Sequence, residues 1–317
     1  LYYTFIDMQA DSGRGAVLLK NQPLALDSVA GGQIEAVKHA NGTDWWIIQP
    51  IGTTNGYYTF LLTGDSIRLV RKQYVGGSIS SPLGYELVGQ AVFSPDGTKY
   101  ARYDPYHDLE IFDFNRCDGR LSNPQRVQVE TDTLRGSGIA ISPNNRYLYM
   151  SASTEIVQYD LWATNIPNSR AVVSFYDGAC FQNNPIFPYW FGRLQLAPDG
   201  KIYGAIPSCT CMHVIAQPDL PGLLCDAQQR GLTLTHWGQA EVIPNYPHYR
   251  TPALAESACW TNTNGYAAID EEESTEPPLS VVEAQAGRGV LRVYPNPTSE
   301  KIYLSLPDVA APVRISL

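Results

Sequence analysis

Short apolar runs recur along the chain, and each is followed by a polar turn and a second run that is rich in aromatic residues. Four such segments align: GQIEAVKHANGTDWWIIQP from Gly32, LVGQAVFSPDGTKYARYDP from Leu87, GSGIAISPNNRYLYMSAST from Gly136 and WFGRLQLAPDGKIYGAIPS from Trp190. Their turns end 55, 48 and 55 residues apart, at Gly42, Gly97, Asn145 and Gly200. A period near fifty residues indicates a repeat architecture.

Each repeat contains the residues of several short strands around one tight turn. In Ser94-Pro95-Asp96-Gly97, the proline fixes φ, the aspartate caps the turn and the glycine accepts a positive φ. Asn145 takes the glycine position of the third copy and also tolerates a left-handed conformation. Further strand-like runs follow the turns: LEIFDF (109–114), RVQVE (126–130), EIVQYDL (155–161), AVVSFY (171–176) and MHVIAQ (212–217). Four strands in each repeat predict an all-β protein, a β-propeller of four-stranded blades.

The composition supports this prediction and excludes two classes of function. Charged residues make up 17% of the 317 residues, whereas the chain has 26 Gly, 23 Pro and 20 Tyr, which favours short strands and turns over long amphipathic helices. A β-sandwich is the alternative, but sandwiches do not repeat one strand-turn-strand unit at regular intervals. A net charge of -9 without a Lys/Arg cluster argues against a nucleic-acid partner. The sequence also lacks an apolar stretch of about 18 residues, so no transmembrane helix is predicted.

Several motifs resemble those of a known family. SPDGTKYA, ISPNNRYLY and GRLQLAPDGKIYGA, followed by PDLPGLLC and PNYP, resemble the secreted β-propellers of Bacteroidota, which are similar to YVTN and lactonase-like propellers. The resemblance covers roughly residues 1–250. It implies a complete ring of seven blades, of which five to six are expected in this chain. The opening run LYYTFIDMQADSGRGAV resembles an internal strand pair, so we expect the propeller to be incomplete on its N-terminal side.

The last part of the chain has a different pattern. Residues 270–279, DEEESTEPPL, carry five carboxylates and two prolines, a composition typical of a solvated linker. We therefore predict a propeller over residues 1–268, a linker over 269–288 and a separate small domain over 289–317. In YPNP, Pro295 and Pro297 cannot donate ladder hydrogen bonds, so they are expected to separate two strands.

The segment LRVYPNPTSEKIYLSL resembles the beginning of the C-terminal sorting domain of the type IX secretion system. In that family a strand, a Pro-Asn-Pro break and a second strand open a small β-sandwich, and further strands follow. The resemblance implies that residues 289–317 are the truncated start of such a domain. It also implies that the type IX machinery is a partner and that the protein is extracellular or lies on the outer-membrane surface.

Candidate catalytic and binding residues are expected at the channel, where the innermost strands of propeller blades converge. Alignment of the inner strands places Glu35, Gln90, Gly138 and Arg193 at one level. We name Glu35, Gln90 and Arg193 as channel candidates. One acid, one amide and one base do not form the set of converging ligands that a metal-dependent lactonase needs. The sequence also lacks common nucleophile, zinc-protease and phosphate-loop motifs. We therefore predict no catalytic set, no metal and no cofactor.

Six cysteines are present, an even number that is typical of disulfides in an exported protein. They are Cys117, Cys180, Cys209, Cys211, Cys225 and Cys259. Their connectivity is open, because six cysteines allow 15 pairings. Zinc binding by Cys209, Cys211, His213 and Cys225 is the alternative, but the spacing is not C-x-x-C.

Two surface features bear on binding and modification. Three Asp-Ser/Thr pairs resemble the O-glycan acceptors of exported Bacteroidota proteins, so we expect glycans on Ser28, Ser66 and Thr133. The aromatic clusters Trp45-Trp46, Tyr57-Tyr58 and FPYWFG (187–192) are expected to pack between blades. Their alternative role is a stacking platform for a sugar or a partner protein.

Three functions are consistent with these patterns. The first hypothesis is a non-catalytic exported propeller that serves as a scaffold and binds protein or glycan partners. The second is an exported hydrolase, lyase or lactonase that acts in the channel. The third is a structural subunit of a surface assembly or filament, in which an open edge of the ring pairs with another chain.

Overall fold

The computed structural model of this chain describes residues 1–52, 54–77, 89–104, 108–129, 138–180, 184, 186, 188–206, 209–238, 243, 246–254, 292–294 and 303–305. Contacts divide the chain into two units, Leu1–Glu271 and Glu272–Leu317. The division falls within the acidic segment that the sequence identifies as a linker. The finer limits at residues 268 and 288 stay predictions.

The described part of the first unit contains four antiparallel sheets of four strands each. The first blade consists of β3 (Glu35–Lys38), β4 (Trp45–Pro50), β5 (Gly56–Leu62) and β6 (Ile67–Tyr74). The second consists of β7 (Gln90–Phe93), β8 (Lys99–Asp104), β9 (Asp108–Asn115) and β10 (Arg120–Val127). The third consists of β11 (Gly138–Ile141), β12 (Tyr147–Ala152), β13 (Glu155–Asp160) and β14 (Ala171–Phe175). The fourth consists of β15 (Leu194–Leu196), β16 (Ile202–Gly204), β17 (Cys209–Ile215) and β18 (Ala227–Gly238).

In every blade the strands pair in chain order, from the innermost strand to the outermost, as the repeat predicts. This arrangement confirms the all-β propeller fold. A two-stranded sheet of β1 (Tyr2–Asp7) and β2 (Ala16–Pro23) precedes the first blade. Helical structure in the described residues is limited to short turns at Ala10–Gly13, Pro167–Ser169 and Gly222–Cys225. No helix in these residues is long and apolar enough to cross a membrane. The total of seven blades stays a prediction.

The turn chemistry expected from the sequence is present between the first two strands of the second blade. Gly97 has a φ of 74°, and Asp96 accepts the backbone N–H of Thr98 at 3.0 Å. The Ser94 hydroxyl accepts the N–H of Lys99 at 2.9 Å, which closes the hairpin. In the third blade Asn145 takes the same left-handed conformation, with a φ of 64°. The composition of each turn therefore fixes where its inner strand ends.

The turns also join neighbouring blades. The amide oxygen of Asn145 accepts the N–H of Asp96 at 2.9 Å, so the third blade caps the turn of the second. Arg116 follows the third strand of the second blade, is 2% exposed, and donates from Nε to the carbonyl of Lys38 at 2.9 Å. Its Nη2 donates to the carbonyl of Pro252 at 2.6 Å. One buried guanidinium thus connects the first two blades to the segment 246–254.

Each pair of neighbouring blades encloses an apolar core. The core between the first and second blades is mainly aromatic, and it contains Trp46, Tyr57, Phe93, Tyr100, Phe112 and Phe114. The core between the second and third blades is mainly aliphatic. The third and fourth blades enclose a further core, which includes Tyr149, Phe191 and Ile202. Burial of such large side chains is the main stabilisation of blade contacts.

The second unit contains one short antiparallel strand pair in its described residues. Strand β19 (Arg292–Tyr294) pairs with β20 (Tyr303–Ser305), and Tyr294 lies opposite Tyr303. The two strands flank the Pro-Asn-Pro motif, whose residues lie outside the described part. A strand is therefore present on each side of the break, as the sequence predicts.

Gly97 and Gly200 offer a matched test of how tightly the turns pack. Both glycines have a positive φ, at 74° and 82°, so alanine should cost about 1–2 kcal/mol at either site. A Cβ at Gly97 would lie 2.7 Å from Val37 Cγ2 and 2.8 Å from Arg116 Cδ, whereas at Gly200 the nearest atom is 3.9 Å away. We expect Gly97→Ala to lose a further ~1–3 kcal/mol of unfolding free energy in urea titrations. Equal losses for both variants would contradict this packing.

Candidate functional site

The inner strands β3, β7, β11 and β15 define the channel, and their registers place the predicted candidates at one level. Glu35 lies opposite Ile48, and Gln90 lies opposite Tyr103, the corresponding position of the second blade. Gly138 lies opposite Ser151. In the fourth blade the carbonyl of Arg193 accepts the N–H of Ala205 at 2.8 Å, one position before β15. The alignment derived from the sequence matches the registers of the first three blades, whereas the hairpin of the fourth blade is one residue shorter.

The side chain of Gln90 crosses the channel. Its Nε2 donates to the carbonyl of Leu194 at 2.6 Å, and its Oε1 accepts the N–H of Leu194 at 3.3 Å. The same oxygen accepts the N–H of Ile139 at 3.2 Å. Gln90 is fully buried. One amide thus connects the inner strand of the second blade to those of the third and fourth, and Gln90 acts as a structural bridge.

Gly138 allows the inner strands of the third and fourth blades to approach closely. A Cβ on Gly138 would lie 2.3 Å from the carbonyl oxygen of Gly192 and 2.5 Å from Ser151 Oγ. The Ser151 hydroxyl donates to that same Gly192 carbonyl at 2.5 Å. Any side chain at residue 138 would separate the two strands. Glycine is therefore required at residue 138 for packing, and the close approach of the two strands narrows the channel.

Glu35 is the most perturbed acid of the channel. Its residue is 6% exposed, and its Oε1 accepts the N–H of its neighbour Ala36 at 3.1 Å. Burial raises the pKa of the Glu35 carboxyl to about 8, and the Ala36 hydrogen bond offsets only part of that rise. Glu35 is consequently protonated for the most part at neutral pH. A carboxylic acid in this state can donate a proton or a hydrogen bond.

A small cavity lies beside Glu35. Its volume is about 10 Å³, which accommodates about one water molecule. Burial lowers the pKa of His248, so its imidazole is neutral at neutral pH. The cavity combines a protonated acid and a neutral base with both polar and apolar walls. Its lining residues are Glu35, Val92, Phe93, Ala140, Ile141, Gln195, Leu196, Tyr246 and His248.

This arrangement could transfer a proton, but it has no room for a substrate. Small-molecule sites usually occupy about 300–1,000 Å³, far more than the space beside Glu35. A reaction in the channel would therefore require the inner strands to separate. His248 was not among the sequence candidates, because a single histidine after the repeats carries no pattern that points to the channel.

Arg193 lies at the same level of the channel as Glu35, but its guanidinium packs against Gly32. Its Nη2 lies 2.7 Å from the position of a Cβ on Gly32. Burial lowers the pKa of Arg193. Glu35 and Arg193 form no ion pair in the described part of the chain. Nearby, the amide of Gln33 is fully buried, and neither its nitrogen nor its oxygen has a hydrogen-bond partner among the described residues.

A buried polar cluster between the first two blades escaped the sequence analysis. Arg102 and Glu110 form an ion pair with an N–O distance of 2.7 Å, and both side chains are 3% exposed. The Gly77 N–H donates to Glu110 Oε1 at 2.6 Å, and the Arg102 guanidinium lies 5.5 Å from the Tyr57 ring. Burial also raises the pKa of the neighbouring Tyr100 well above its usual value. Charged residues at inward positions of β8 and β9 could have indicated this cluster from the sequence.

The other histidines that the structure describes have structural environments. His39 accepts the N–H of Asn41 through Nδ1 at 3.0 Å and stacks on Trp46 at 5.2 Å. The His213 ring lies 4.5 Å from the Phe191 ring in a tilted contact, and burial lowers the pKa of His213 to about 4. His107 lies outside the described residues, and only the backbone of His236 is described.

The aromatic clusters mostly pack between blades. Trp46 and Tyr57 are fully buried, and Trp46 Nε1 donates to the carbonyl of Arg116 at 2.7 Å. Trp45 is only half-buried and meets the ring of Tyr249 edge to face at 5.7 Å. Of the FPYWFG segment, Phe187 lies outside the described residues. The buried rings are thus used for packing, whereas Trp45, Tyr189 and Trp190 are only partly buried.

The cysteines fall into three groups. Cys209 is bonded to Cys211, which removes two ligands of the alternative zinc site. Cys117 is also disulfide-bonded, whereas Cys180 and Cys225 are free thiols. Cys259 lies outside the described residues. No group of three or more His, Cys, Asp or Glu side chains placed to hold a metal occurs within the described ranges.

The predicted glycan acceptors remain predictions. Ser28 and Ser66 are exposed. The Ser66 hydroxyl lies 2.9 Å from Thr63 Oγ1, within hydrogen-bond distance. Thr133 lies outside the described residues.

Comparisons with known proteins find structural similarity only. No protein-family model matches the chain, and no curated protein sequence matches it. A candidate 6-phosphogluconolactonase from Bacteroides uniformis is 17% identical, with a TM-score of 0.47 over 73% of this chain and 65% of its own. A luciferin-regenerating enzyme is 12% identical, with a TM-score of 0.39 over 74% of this chain and 70% of its own.

An inactive virginiamycin B lyase from Staphylococcus aureus is 11% identical, with a TM-score of 0.38 over 65% of this chain. The chain spans less than two thirds of the length of the Bacteroides uniformis protein and 56% of the lyase. These values describe remote similarity, and the blades themselves establish the fold.

Replacing Glu35 with glutamine tests the burial of its carboxyl. The folded-state pKa of about 8 exceeds the usual value of 4.5, so the stability from burying the neutral acid is fully present below pH 4.5 and is lost as the pH rises to about 8. Glu35→Gln lacks this loss. We expect its unfolding free energy to equal that of the parent near pH 4.5 and to exceed it by a few kcal/mol above pH 8.

Urea titrations across this pH range make the measurement, and the titration of His248 is common to both proteins. Glu110→Gln is the contrasting variant, because it breaks the buried pair with Arg102 and should be less stable than the parent at pH 8. A pH-independent difference between Glu35→Gln and the parent would contradict the buried environment of Glu35.

Proposed function

We propose that this chain is an exported, non-catalytic propeller that binds a protein or glycan partner through the outer surfaces of its blades. The observation that carries the proposal is the narrow channel. Gln90 joins three inner strands, Gly138 brings two of them together, and about 10 Å³ is left beside Glu35. A ligand larger than water therefore meets the outside of the blades.

The outer surface offers large apolar side chains for such contacts. Trp162 is 66% exposed and Leu223 is 78% exposed. Trp162 lies against the Arg146 guanidinium, whose centre is 5.2 Å from its ring, and Arg146 is held by Asp160 at 2.7 Å. Because Arg146 holds one face of the Trp162 ring and the residue is largely exposed, the ring is suited to stacking on a sugar or an aliphatic side chain.

Export by the type IX system is the second part of the proposal. Its support is the resemblance of residues 289–317 to the sorting domain, together with the pairing of β19 and β20 on the two sides of the Pro-Asn-Pro motif. Binding at the cell surface or outside the cell would follow from that route. Cys209 and Cys211 also form a disulfide, a bond that is typical of proteins in oxidising compartments.

Binding and catalysis are separated by the Glu35→Gln variant. We expect the parent and Glu35→Gln to bind the same targets on a glycan array and on purified envelope proteins, with affinities that agree within about twofold, because the channel takes no part in binding. Circular dichroism verifies that both are folded. Loss of binding in Glu35→Gln, or substrate turnover by the parent that disappears in Glu35→Gln, would contradict a non-catalytic role.

The tail is tested by its prolines. In a host with a type IX system, we expect the full chain with Pro295→Ala and Pro297→Ala to be released at least tenfold less than the parent, because an unbroken strand would replace the strand-break-strand motif. Pro277→Ala with Pro278→Ala in the acidic segment is the matched control. Immunoblots of medium and cell fractions measure release. Equal release of all three proteins would refute the sorting role.

A hydrolase, lyase or lactonase remains the first alternative. The observation in its favour is the Glu35 carboxyl with a pKa of about 8 beside the neutral imidazole of His248. Perturbed acids of this kind cluster at functional sites. This alternative needs an open state of the channel that admits a substrate.

A structural subunit of an assembly is the second alternative, and the sheet of β1 and β2 favours it. This sheet has two strands, whereas the four blades have four each. Phe5, Ile6, Val17, Leu18 and Leu19 are all at least 40% exposed on it. Isolated two-stranded sheets are marginally stable, so added strands would stabilise this one. Sedimentation that shows a monodisperse monomer would count against this alternative.

A further inference from the structure

Strand β17 contains a disulfide that spans a single residue. Cys209 and Cys211 are bonded to each other, and only Thr210 lies between them. Side chains two residues apart in a strand lie on the same face of a sheet, so the bond runs along one face of β17. Such a bond joins neighbours that the strand already holds near each other.

The bond shortens the strand. The Cα atoms of Cys209 and Cys211 are 5.4 Å apart, whereas two steps of an extended strand span about 6.4–6.8 Å. A Cα separation near 5.5 Å is ordinary for a disulfide. The strand has therefore adapted to the bond, with a contraction of about 1 Å.

The contraction coincides with an interruption of the ladder between β17 and β18. Cys209 lies opposite Gly238, whereas Cys211 lies opposite Thr233, so a step of two residues along β17 corresponds to a step of five residues along β18. Regular pairing would advance both strands equally. The disulfide and the irregular register therefore occur at the same place.

This disulfide is expected to contribute little to the free energy of unfolding by restricting the unfolded chain. A disulfide stabilises a fold mainly by restricting the unfolded chain, and this restriction grows with the length of the closed loop. The loop between Cys209 and Cys211 contains three residues including both cysteines, which makes the restriction small. Reduction would release the contraction of the strand, which favours the reduced form. The oxidised and reduced forms are therefore closer in free energy than for a disulfide that closes a long loop.

The same face of β17 connects the disulfide to a buried histidine. His213 is two residues beyond Cys211, and the centre of its ring lies 4.5 Å from that of Phe191 in a tilted contact. Its Nδ1 accepts the N–H of Arg230 from β18 at 3.3 Å. Extension of β17 at the cysteines would shift His213 against both of these partners. The oxidation state of the cysteines is thereby linked to the packing of the fourth blade.

We propose that Cys209 and Cys211 form a reversible dithiol-disulfide couple that exchanges with small-molecule thiols and switches β17 between a contracted and an extended form. A thiolate attacks the sulfur of Cys211, the bond between the two protein sulfurs breaks, and the Cys209 thiolate leaves and takes up a proton. A second thiolate then attacks the external sulfur of the mixed disulfide, the bond from that sulfur to Cys211 breaks, and the Cys211 thiolate leaves and takes up a proton. Two thiols are oxidised to one disulfide, and the protein gains two electrons and two protons.

Burial sets the access for this exchange. Cys211 is 9% exposed and Cys209 is 2% exposed, so Cys211 is the more accessible residue of the pair. The chain carries an internal reference, because Cys117 is bonded in a second disulfide. Cys225 is a buried free thiol and serves as the site of a control substitution.

The experiment equilibrates the full chain in glutathione redox buffers, traps thiols with N-ethylmaleimide and locates them by mass spectrometry. We expect the peptide that contains Cys209 and Cys211 to gain two labels together. Its half-reduction should need at least tenfold less reducing buffer than that of the Cys117 disulfide, which is a difference of about 30 mV for a two-electron couple. Cys225→Ser should leave the midpoint of the pair unchanged.

Two outcomes would overturn the proposal. One is a Cys209–Cys211 pair that stays oxidised in buffers that reduce the Cys117 disulfide. The other is a single label on the pair without a glutathione adduct on the second cysteine, which would mean that these cysteines bond elsewhere. The switch is measured separately by amide hydrogen exchange, with Cys209→Ser/Cys211→Ser as a permanently reduced mimic. Exchange in β17 and β18 should increase on reduction and in the mimic, and unchanged exchange would refute the coupling to the strand.

Discussion

The amide of Gln90 is the interaction on which the centre of the propeller depends. Its nitrogen and oxygen bond to backbone groups of Leu194 and Ile139, so a residue of the second blade satisfies the inner strands of the third and fourth. Backbone groups that are buried at the axis of a ring have no access to bulk water, and they must find partners within the protein. Gln90 provides these partners, and the strands consequently approach so closely that Gly138 has no room for a side chain.

This close approach explains the electrostatics of the centre. Glu35 projects into a space that holds about one water, so its carboxyl is neutral at neutral pH and its pKa is about 8. The buried charge of Glu110 is stabilised in a different way, because Glu110 forms an ion pair with Arg102 and accepts a hydrogen bond from the backbone N–H of Gly77. These two buried carboxyl groups are accommodated in different ways, because Glu110 is paired with Arg102 and Glu35 is protonated. Perturbed titration here is a consequence of packing, and it does not require a catalytic role.

The sequence predicted local structure well, because turns and strand periods depend on neighbouring residues. Ser94, Asp96 and Gly97 fix the end of an inner strand by their own chemistry, and the same pattern located Glu35, Gln90 and Arg193 at one level. Contacts between blades could not be predicted in this way. Gln90 bonds to Leu194, 104 residues away, and Arg116 bonds to Pro252, 136 residues away. The pairing of Cys209 with Cys211 was one of 15 open possibilities, and His248 carried no pattern that linked it to Glu35.

The proposed function requires the space between the inner strands of the four described blades to be closed to ligands, so that ligands meet the outside of the blades. Methyl NMR with a soluble nitroxide measures this directly, since the nitroxide broadens signals that it can approach. The Ala140 methyl lines the cavity beside Glu35, whereas the methyls of Leu223 and Leu224 are exposed and serve as reference. The account predicts that the leucine signals broaden while the Ala140 signal keeps its width. Broadening of Ala140 to the same degree would show an open channel and would contradict the account.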